Sequence, residues 1–570
     1  MRGLTGKTLA LFVTLPFLLA IFAVVLPTQS SAAEARLFQD LNPGPSGSEP
    51  GPFIVRGNEV ITGSRSDAGN ELHGFGRDSN RLVRDLFPGP IGSAPYGLTT
   101  IGNVTFFVAT TEATGSELWK LTDNTVELIK DINPGPDGSS LQEPVVSGNQ
   151  LLFAAYSAAT GTELWRADAN GANLVDDIEP GPDGSNPYSL RAIGSKVYFD
   201  AYESGFGYEP MSTDGVTVVR LIDLSAGVNS SYAADFTPVG GHVYFRADEG
   251  FSGEELWRTD GMVTTQVGDI YPGAGSSYPY ELFSHNGFIY FQAQDVTDGY
   301  ELWRSNGGAP TQVADINPGP NSSSPNGFTS LGNQLYFVAS DDVHGAELRR
   351  TDGTGVELVF DAIPGVDSGS PSNLTTVDGA IYGSIYRPET GSEPWRIDAS
   401  GVTQLADLFP GTTGSEPSFF TKFGEDILFS ANDGTHGYEV FAYGPPLPDT
   451  SVSITIEGKR SGVARKGFAA IRLTCPAEEV SSPCKGSFSV ATKNKVRFKG
   501  KQRKVTIAKK TFTIKAGKTN TYRITIRKPV LKLLRSSKAA RMVVVTAKVN
   551  DQAGNSKTVR KGYSLGRPPG

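Results

Sequence analysis

Cysteine is almost absent from the 570 residues: Cys475 and Cys484 are the only two. A zinc site on that pair would need two more ligands nearby, and no His follows His436. One local disulfide, in an oxidising compartment, is the natural reading. Histidine is scarce too, and the five present (His73, His242, His285, His344 and His436) are scattered rather than clustered. No Gly-x-Ser-x-Gly, His-Glu-x-x-His or phosphate-binding glycine loop occurs, so the common hydrolase, metalloprotease and nucleotide-binding signatures are missing. Few windows run ten residues without Gly or Pro, which excludes a mainly helical fold. Beyond the N-terminus no segment is apolar enough to span a membrane.

The N-terminus itself reads as an export signal. Arg2 and Lys7 precede an apolar run from Leu9 to Leu26, and the small residues Ser30-Ser31-Ala32-Ala33 follow. This predicts a signal peptide over 1–33 and a secreted or cell-surface protein. The run is long enough that an uncleaved anchor is the competing reading, and only that reading would involve the membrane.

What fills the chain is a repeat. Glu71, Glu117, Glu163, Glu209, Glu255, Glu301, Glu347, Glu393 and Glu439 stand 46 residues apart, each with a Gly two positions earlier. A second marker recurs nine times as Asp40, Asp85, Asp131, Asp177, Asp223, Asp269, Asp315, Asp361 and Asp407. Between markers lie a Pro/Gly turn, a Gly-Asn turn (Gly148-Asn149, Gly332-Asn333) and an Asp-Gly turn (Asp260-Gly261, Asp352-Gly353). These turns separate four short runs of strand character per unit, the size of a propeller blade. The last unit lacks a fourth strand after Val440-Phe441-Ala442-Tyr443, while one spare strand, Ala35-Arg36-Leu37-Phe38-Gln39, precedes the first. The expectation over 34–446 is therefore a closed, all-β propeller of about nine four-stranded blades, with the N-terminal strand completing the last.

The recurring Gly-x-Glu-Leu-Trp-x-x-Asp-Gly, clearest at Glu255-Leu256-Trp257-Arg258-Thr259-Asp260-Gly261, resembles the bacterial "ELWxxDGT" (hyalin-like) repeat proteins. The resemblance covers about 35 to 446 and implies an exported protein without implying an activity. Glu347-Leu348-Arg349-Arg350-Thr351-Asp352-Gly353 departs from it, with Arg in the Trp slot.

Trp119, Trp165, Trp257, Trp303 and Trp395 all occupy that slot. A slot shared by every unit points to packing between blades, with a ring of sugar platforms as the functional alternative. The recurrent acids, Glu117, Glu163, Glu255 and Glu301 among them, must meet backbone N–H groups, a cation or water. Cation binding is the sharper alternative: Asp131-x-Asn133-x-x-x-Asp137 and Asp177-x-Glu179-x-x-x-Asp183 gather oxygens as a calcium loop would, although a Pro interrupts each. Calcium is the one cofactor considered, and no other is expected. Ala159-Thr160-Gly161-Thr162-Glu163-Leu164-Trp165 also looks like the tryptophan-docking repeat of quinoprotein propellers. A quinoprotein-like propeller enzyme is thus one alternative, and a calcium-stabilised adhesion protein another.

Charge divides the chain. Residues 1–449 hold 22 Lys+Arg against 56 Asp+Glu, a net of −34, whereas 450–570 hold 29 against 4, a net of +25. The break falls at Gly444-Pro445-Pro446-Leu447-Pro448, a stiff linker. Alternating segments beyond it predict a basic Ig-like β-sandwich over 447–570, with a helical turn at Val530–Leu534. Lys493, Lys495, Arg497, Lys499 and Lys501 alternate, which would place five cations on one strand face. Such a stripe either protects an edge or grips a polyanion. It lacks the interleaved aromatics of a nucleic-acid binder, and nucleic acid is not an expected partner. The expected function is an exported, non-enzymatic scaffold. Its acidic propeller would present loops to a surface polysaccharide or protein, and its basic domain would associate with an anionic envelope polymer.

Overall fold

The computed structural model describes residues 33–77, 79–445, 454–464, 467–476, 483–550 and 556–569. The signal peptide expected over 1–33 lies outside them except for Ala33, as does the expected linker beyond Pro445. The chain divides into two compact units, Met1–Pro445 and Pro446–Gly570. No helix among the described residues is long and apolar enough to cross a membrane.

The first unit consists of nine antiparallel four-stranded sheets, one for each copy of the repeat. The third sheet is typical: Gln142–Ser147, Gln150–Ser157, Gly161–Asp168 and Gly171–Asp176 pair in sequence order. Its second strand is buried at five consecutive positions, Leu151 to Ala155, where a half-exposed strand would alternate. Burial on both faces follows because each sheet packs against the next, as Val104, Phe106 and Leu118 of the second sheet do against Leu151, Phe153 and Trp165 of the third. First strands of successive sheets also lie alongside one another.

The spare N-terminal strand is where the strand count required it. Glu34–Gln39 pairs antiparallel with Tyr438–Gly444, with Ala35 opposite Tyr443 and Leu37 opposite Phe441. Phe53, Val60 and Phe75 of the first sheet share a core cluster with Phe423, Leu428 and Val440 of the ninth. A buried ion pair marks this junction. Asp426, fully buried, lies 2.7 Å from Arg36 of the N-terminal strand and 2.7 Å from Arg77, just past the third strand of the first sheet. Of the other units only the first has an acid at this position, Glu59, which pairs with Arg81; Val104, Gln150, Lys196, His242, Phe288, Gln334 and Ala380 stand there in the rest.

The second unit packs a three-stranded and a five-stranded sheet around one core that includes Ile471, Leu473, Phe488, Val490, Val545 and Leu534. The expected helical turn is a nine-residue helix, Lys528–Ser536, opened by a Pro in its first turn. Cys475 and Cys484 form a disulfide, both fully buried.

Candidate functional site

The nine repeat glutamates are structural anchors. Each is fully buried on the third strand of its sheet. Glu163 accepts from the amides of Ile178 (3.2 Å), Glu179 (3.2 Å) and Ser185 (2.8 Å), and from the Ser185 hydroxyl (2.6 Å). These donors belong to the Pro/Gly loop leading into the following sheet, so one carboxylate docks each loop. Glu439 does the same across the chain ends, accepting from Leu41, Asn42 and Ser48. Burial holds the Glu163 carboxyl above its ordinary value, and the donors offset this only in part.

The tryptophans pack. Trp119, Trp165, Trp257, Trp303 and Trp395 are 4–9 % exposed, and the Trp119 and Trp257 indoles donate to the Ala109 and Ala247 carbonyls. Arg349 substitutes for the indole by donating to the equivalent Ala339 carbonyl. The cation after the Trp reaches the next sheet without meeting a repeat glutamate: Lys120 donates to Ala169 O and Arg166 to Gly215 O.

The calcium loops do not assemble a ligand set. Asn133 spends its amide within its own unit, donating to Gly138 O and accepting from Ala158 N, and Glu179 accepts from Ser204 N. Asp131 and Asp177 each keep one buried oxygen without a partner, while Asp137 and Asp183 are exposed. No cluster of three or more metal-ligating His, Cys, Asp or Glu occurs among the described residues.

The cation stripe is not one strand face. Lys493 and Lys495 lie in a bend, Arg497 on the short strand Val496–Phe498, Lys499 in a turn, and Lys501 on the returning strand Lys501–Arg503. The alternation breaks because the Thr492 hydroxyl donates to Asn494 O and accepts from Val505 N, which ends the preceding strand. Lys499 (φ +51°) and Gly500 (φ +78°) then turn the chain back. Lys499 instead joins Arg503, Lys504, Lys509, Lys510, Arg523 and Arg527 around a groove of about 860 Å³.

The arrangement with chemistry of its own lies where the repeat is broken. In every unit the residue after the loop's docking Ser or Gly is left-handed, with φ of 42–49° (Ser140, Asn186, Tyr232 and Tyr278 among them). Docking fixes that conformation, since the Asn186 amide donates to Thr162 O and the adjoining Ser231 amide to Tyr208 O. The side chain at this position therefore lands beside the residue preceding the next-door glutamate. In four units small groups meet there: Ala94 and Asn70, Ser140 and Ser116, Asn186 and Thr162, Ser370 and Ala346. Between the fourth and fifth sheets the pair is Tyr232 and Tyr208, stacked with ring centroids 5.7 Å apart. Tyr188 and Tyr202 close on Tyr208 at 5.9 Å and 5.5 Å. The result is a recess of about 360 Å³ lined by Gln142, Thr162, Asn186, Pro187, Tyr188, Tyr208 and Tyr232, with no ionised side chain in its wall.

Asp200 stands next to it, opposite Tyr188 on the adjoining strand and fully buried. The same position holds Val108, Ala154 and Val338 elsewhere. Neither carboxyl oxygen makes a well-aligned hydrogen bond. Burial raises the carboxyl from 3.8 to about 8, with the Tyr188 hydroxyl and Ala233 amide opposing and Glu209 adding. Burial and Asp200 in turn raise the Tyr188 phenol. At neutral pH Asp200 is therefore a neutral acid, a donor as well as an acceptor. Because the folded chain holds this proton more tightly than the unfolded one, the stability Asp200 contributes is complete below about pH 4. It is lost as pH rises towards about 8. The Asp200→Asn variant is expected to melt above the parent at pH 9, with the gap closing towards pH 4. Parallel melting curves across that range would contradict the assignment.

No family model matches the chain, and no curated protein matches it. Solved structures do. A structure from a study of two prolyl endopeptidases is 14 % identical, over 67 % of this chain and 54 % of that one, with a TM-score of 0.36. A puromycin hydrolase is 13 % identical over 62 % and 61 %, with a TM-score of 0.31. The Pyrococcus horikoshii acylaminoacyl peptidase is 12 % identical over 65 % and 59 %, with a TM-score of 0.31. The chain spans between half and two thirds of each of these proteins. These neighbours correct the expectation of a non-enzymatic scaffold held to an anionic envelope. Proteins named as peptidases and a hydrolase are among the matches, so a repeated all-β chain gives no ground for excluding catalysis. At this identity and TM-score the likeness carries no activity over to this chain.

Proposed function

We propose that the repeat unit binds a neutral saccharide in the tyrosine recess, in an exported protein whose nine sheets close into one propeller ring. The observation that carries this is the lining. Three tyrosines supply apolar ring faces, Gln142, Thr162 and Asn186 supply amides and a hydroxyl, and no charge is present. A sugar ring matches that combination, with C–H groups for the aromatic faces and hydroxyls for the polar edge. Asp200, protonated, adds a donor behind Tyr188. A volume of about 360 Å³ falls within the range of small-molecule sites.

Support comes also from the position of the recess: it is the one sector in which the loop slot and the slot it faces before the glutamate, Tyr232 and Tyr208, are both tyrosine. The test is binding of the full chain to an array of neutral glycans, beside the Tyr208→Ala and Tyr232→Ala variants. Each variant removes one of the two stacked rings and is expected to weaken binding by about tenfold or more, equivalent to about 1.4 kcal/mol. The melting temperature of Tyr232→Ala should stay near the parent's, since Tyr232 is 58 % exposed. Unchanged binding by both variants would refute the assignment.

A further inference from the structure

The rim does not end at Tyr232. Arg246, on the second strand of the fifth sheet, acts electrostatically on Tyr188 on one side. On the other its guanidinium lies over the Tyr280 ring, 4.4 Å from the centroid. Two carboxylates hold it there, Asp235 at 2.9 Å and Glu254 at 2.6 Å. Tyr278 occupies the left-handed loop position of the next unit (φ 47°), and its amide donates to Glu254 O. Tyr300, half-buried, has Tyr278, Tyr280 and Glu254 as its electrostatic neighbours. In the same slots the seventh and eighth units place Ser324, Ser370, Asn326, Ser372, Ala346 and Ser392. Tyr278 and Tyr280 are each 40 % exposed, although burying such rings would favour folding.

We infer that the recess is one end of a track running over the fourth to sixth sheets, which takes an extended neutral oligosaccharide and disfavours an acidic one. The inference rests on the saccharide reading of the recess and deepens it. The track follows from tyrosines on both sides of Arg246: a single sugar fills the recess and leaves Tyr278, Tyr280 and Tyr300 without a ligand to meet. Selectivity follows from charge. Arg246 is already matched by Asp235 and Glu254, so the middle of the track is net negative. Arg191 lines the cleft beside Asp235 and Tyr280 together with Glu281, so the balance there stays negative and a uronate or sulfated chain laid across it would be repelled.

The experiment is calorimetric titration of the full chain with single neutral sugars, with neutral oligosaccharides of increasing length and with a uronate oligomer. The Tyr278→Ala/Tyr300→Ala double variant is run in parallel. The wild type should gain about tenfold or more in affinity from single sugar to oligosaccharide. The double variant should bind single sugars as the wild type does and lose that gain, and the uronate oligomer should bind the wild type less tightly than its neutral counterpart. A length effect that survives in the double variant, or no length effect at all, overturns the track and leaves the recess standing. A uronate oligomer that binds as tightly as the neutral one overturns the selectivity. Saccharide binding indifferent to Tyr208→Ala and Tyr232→Ala overturns the recess and the track together.

Discussion

Replacing Asp426 by Ala is expected to lower the stability of the repeat unit by about 3–5 kcal/mol, the usual cost of removing one partner from a buried ion pair. Two cations depend on this carboxylate. Arg36 lies on the strand that completes the ninth sheet, and Arg77 lies just past the third strand of the first. The Arg36 side chain is only 14 % exposed, so without Asp426 its charge is left buried and unpaired, with only the Glu34 and Gly444 carbonyls to accept from it. The damage falls where the chain ends are joined, and the N-terminal strand Glu34–Gln39 should be the first element to leave. Hydrogen exchange should therefore quicken at Glu34–Gln39 and Tyr438–Gly444 before it does elsewhere, and the denaturation midpoint should drop. Asp426→Asn keeps the volume and is expected to recover only part of the loss, because it restores hydrogen bonding without the charge. Exchange that quickens uniformly over all nine sheets would contradict a local closing role.

The second large effect is expected from Glu163→Ala. Three backbone amides and one hydroxyl lose their acceptor at once, and the Ser185 end of the loop is buried. A buried donor left unmade costs about 1–3 kcal/mol, so the combined loss should reach several kcal/mol. Glu163→Gln should fall between parent and Ala. Its amide retains one acceptor oxygen and presents an NH2 where Ile178 N–H or Ser185 also donates. Because Glu163 docks the loop that ends in Asn186, this variant should also weaken ligand binding at the recess one sheet away. A thermal melt and a saccharide titration on the same sample separate the two consequences. A Glu163→Ala chain as stable as the parent would show that the loop is held by something other than this carboxylate.

These two residues illustrate unequal legibility. The step of 46 residues, the spare strand before Asp40 and the unpaired end after Tyr443 were enough to place Glu34–Gln39 beside Tyr438–Gly444, because strand counting needs only local patterns. The role of the glutamates was half legible. A buried charge demands donors, but these lie 15 to 22 residues further on, in a loop that local spacing does not connect to the strand. A second period in the sequence points to them: a Ser follows the Glu by 22 positions in seven of the first eight units.

The tyrosine recess was missed for a different reason. Looking for slots that recur selects what the architecture needs, and the recess consists of positions where the recurrence fails. Tyr208 stands where Thr162 and Ser116 do, Tyr232 where Asn186 and Ser140 do, and Asp200 where Val108 and Ala154 do. Subtracting the repeat from each unit would have exposed all three. The cation stripe erred in the opposite direction. Its alternating pattern reads as a strand, but the Thr492 side chain ends the preceding strand early and the turn at Lys499-Gly500 folds the stripe onto itself.

The most direct measurement is a crystal structure of the full chain grown with the neutral oligosaccharide that binds it most tightly. The account predicts a sugar ring seated against Tyr208 and Tyr232, with a hydroxyl within hydrogen-bonding reach of Asn186, Gln142 or Thr162. A saccharide found on another sector of the repeat unit or on the second unit, with this recess holding only solvent, would contradict it.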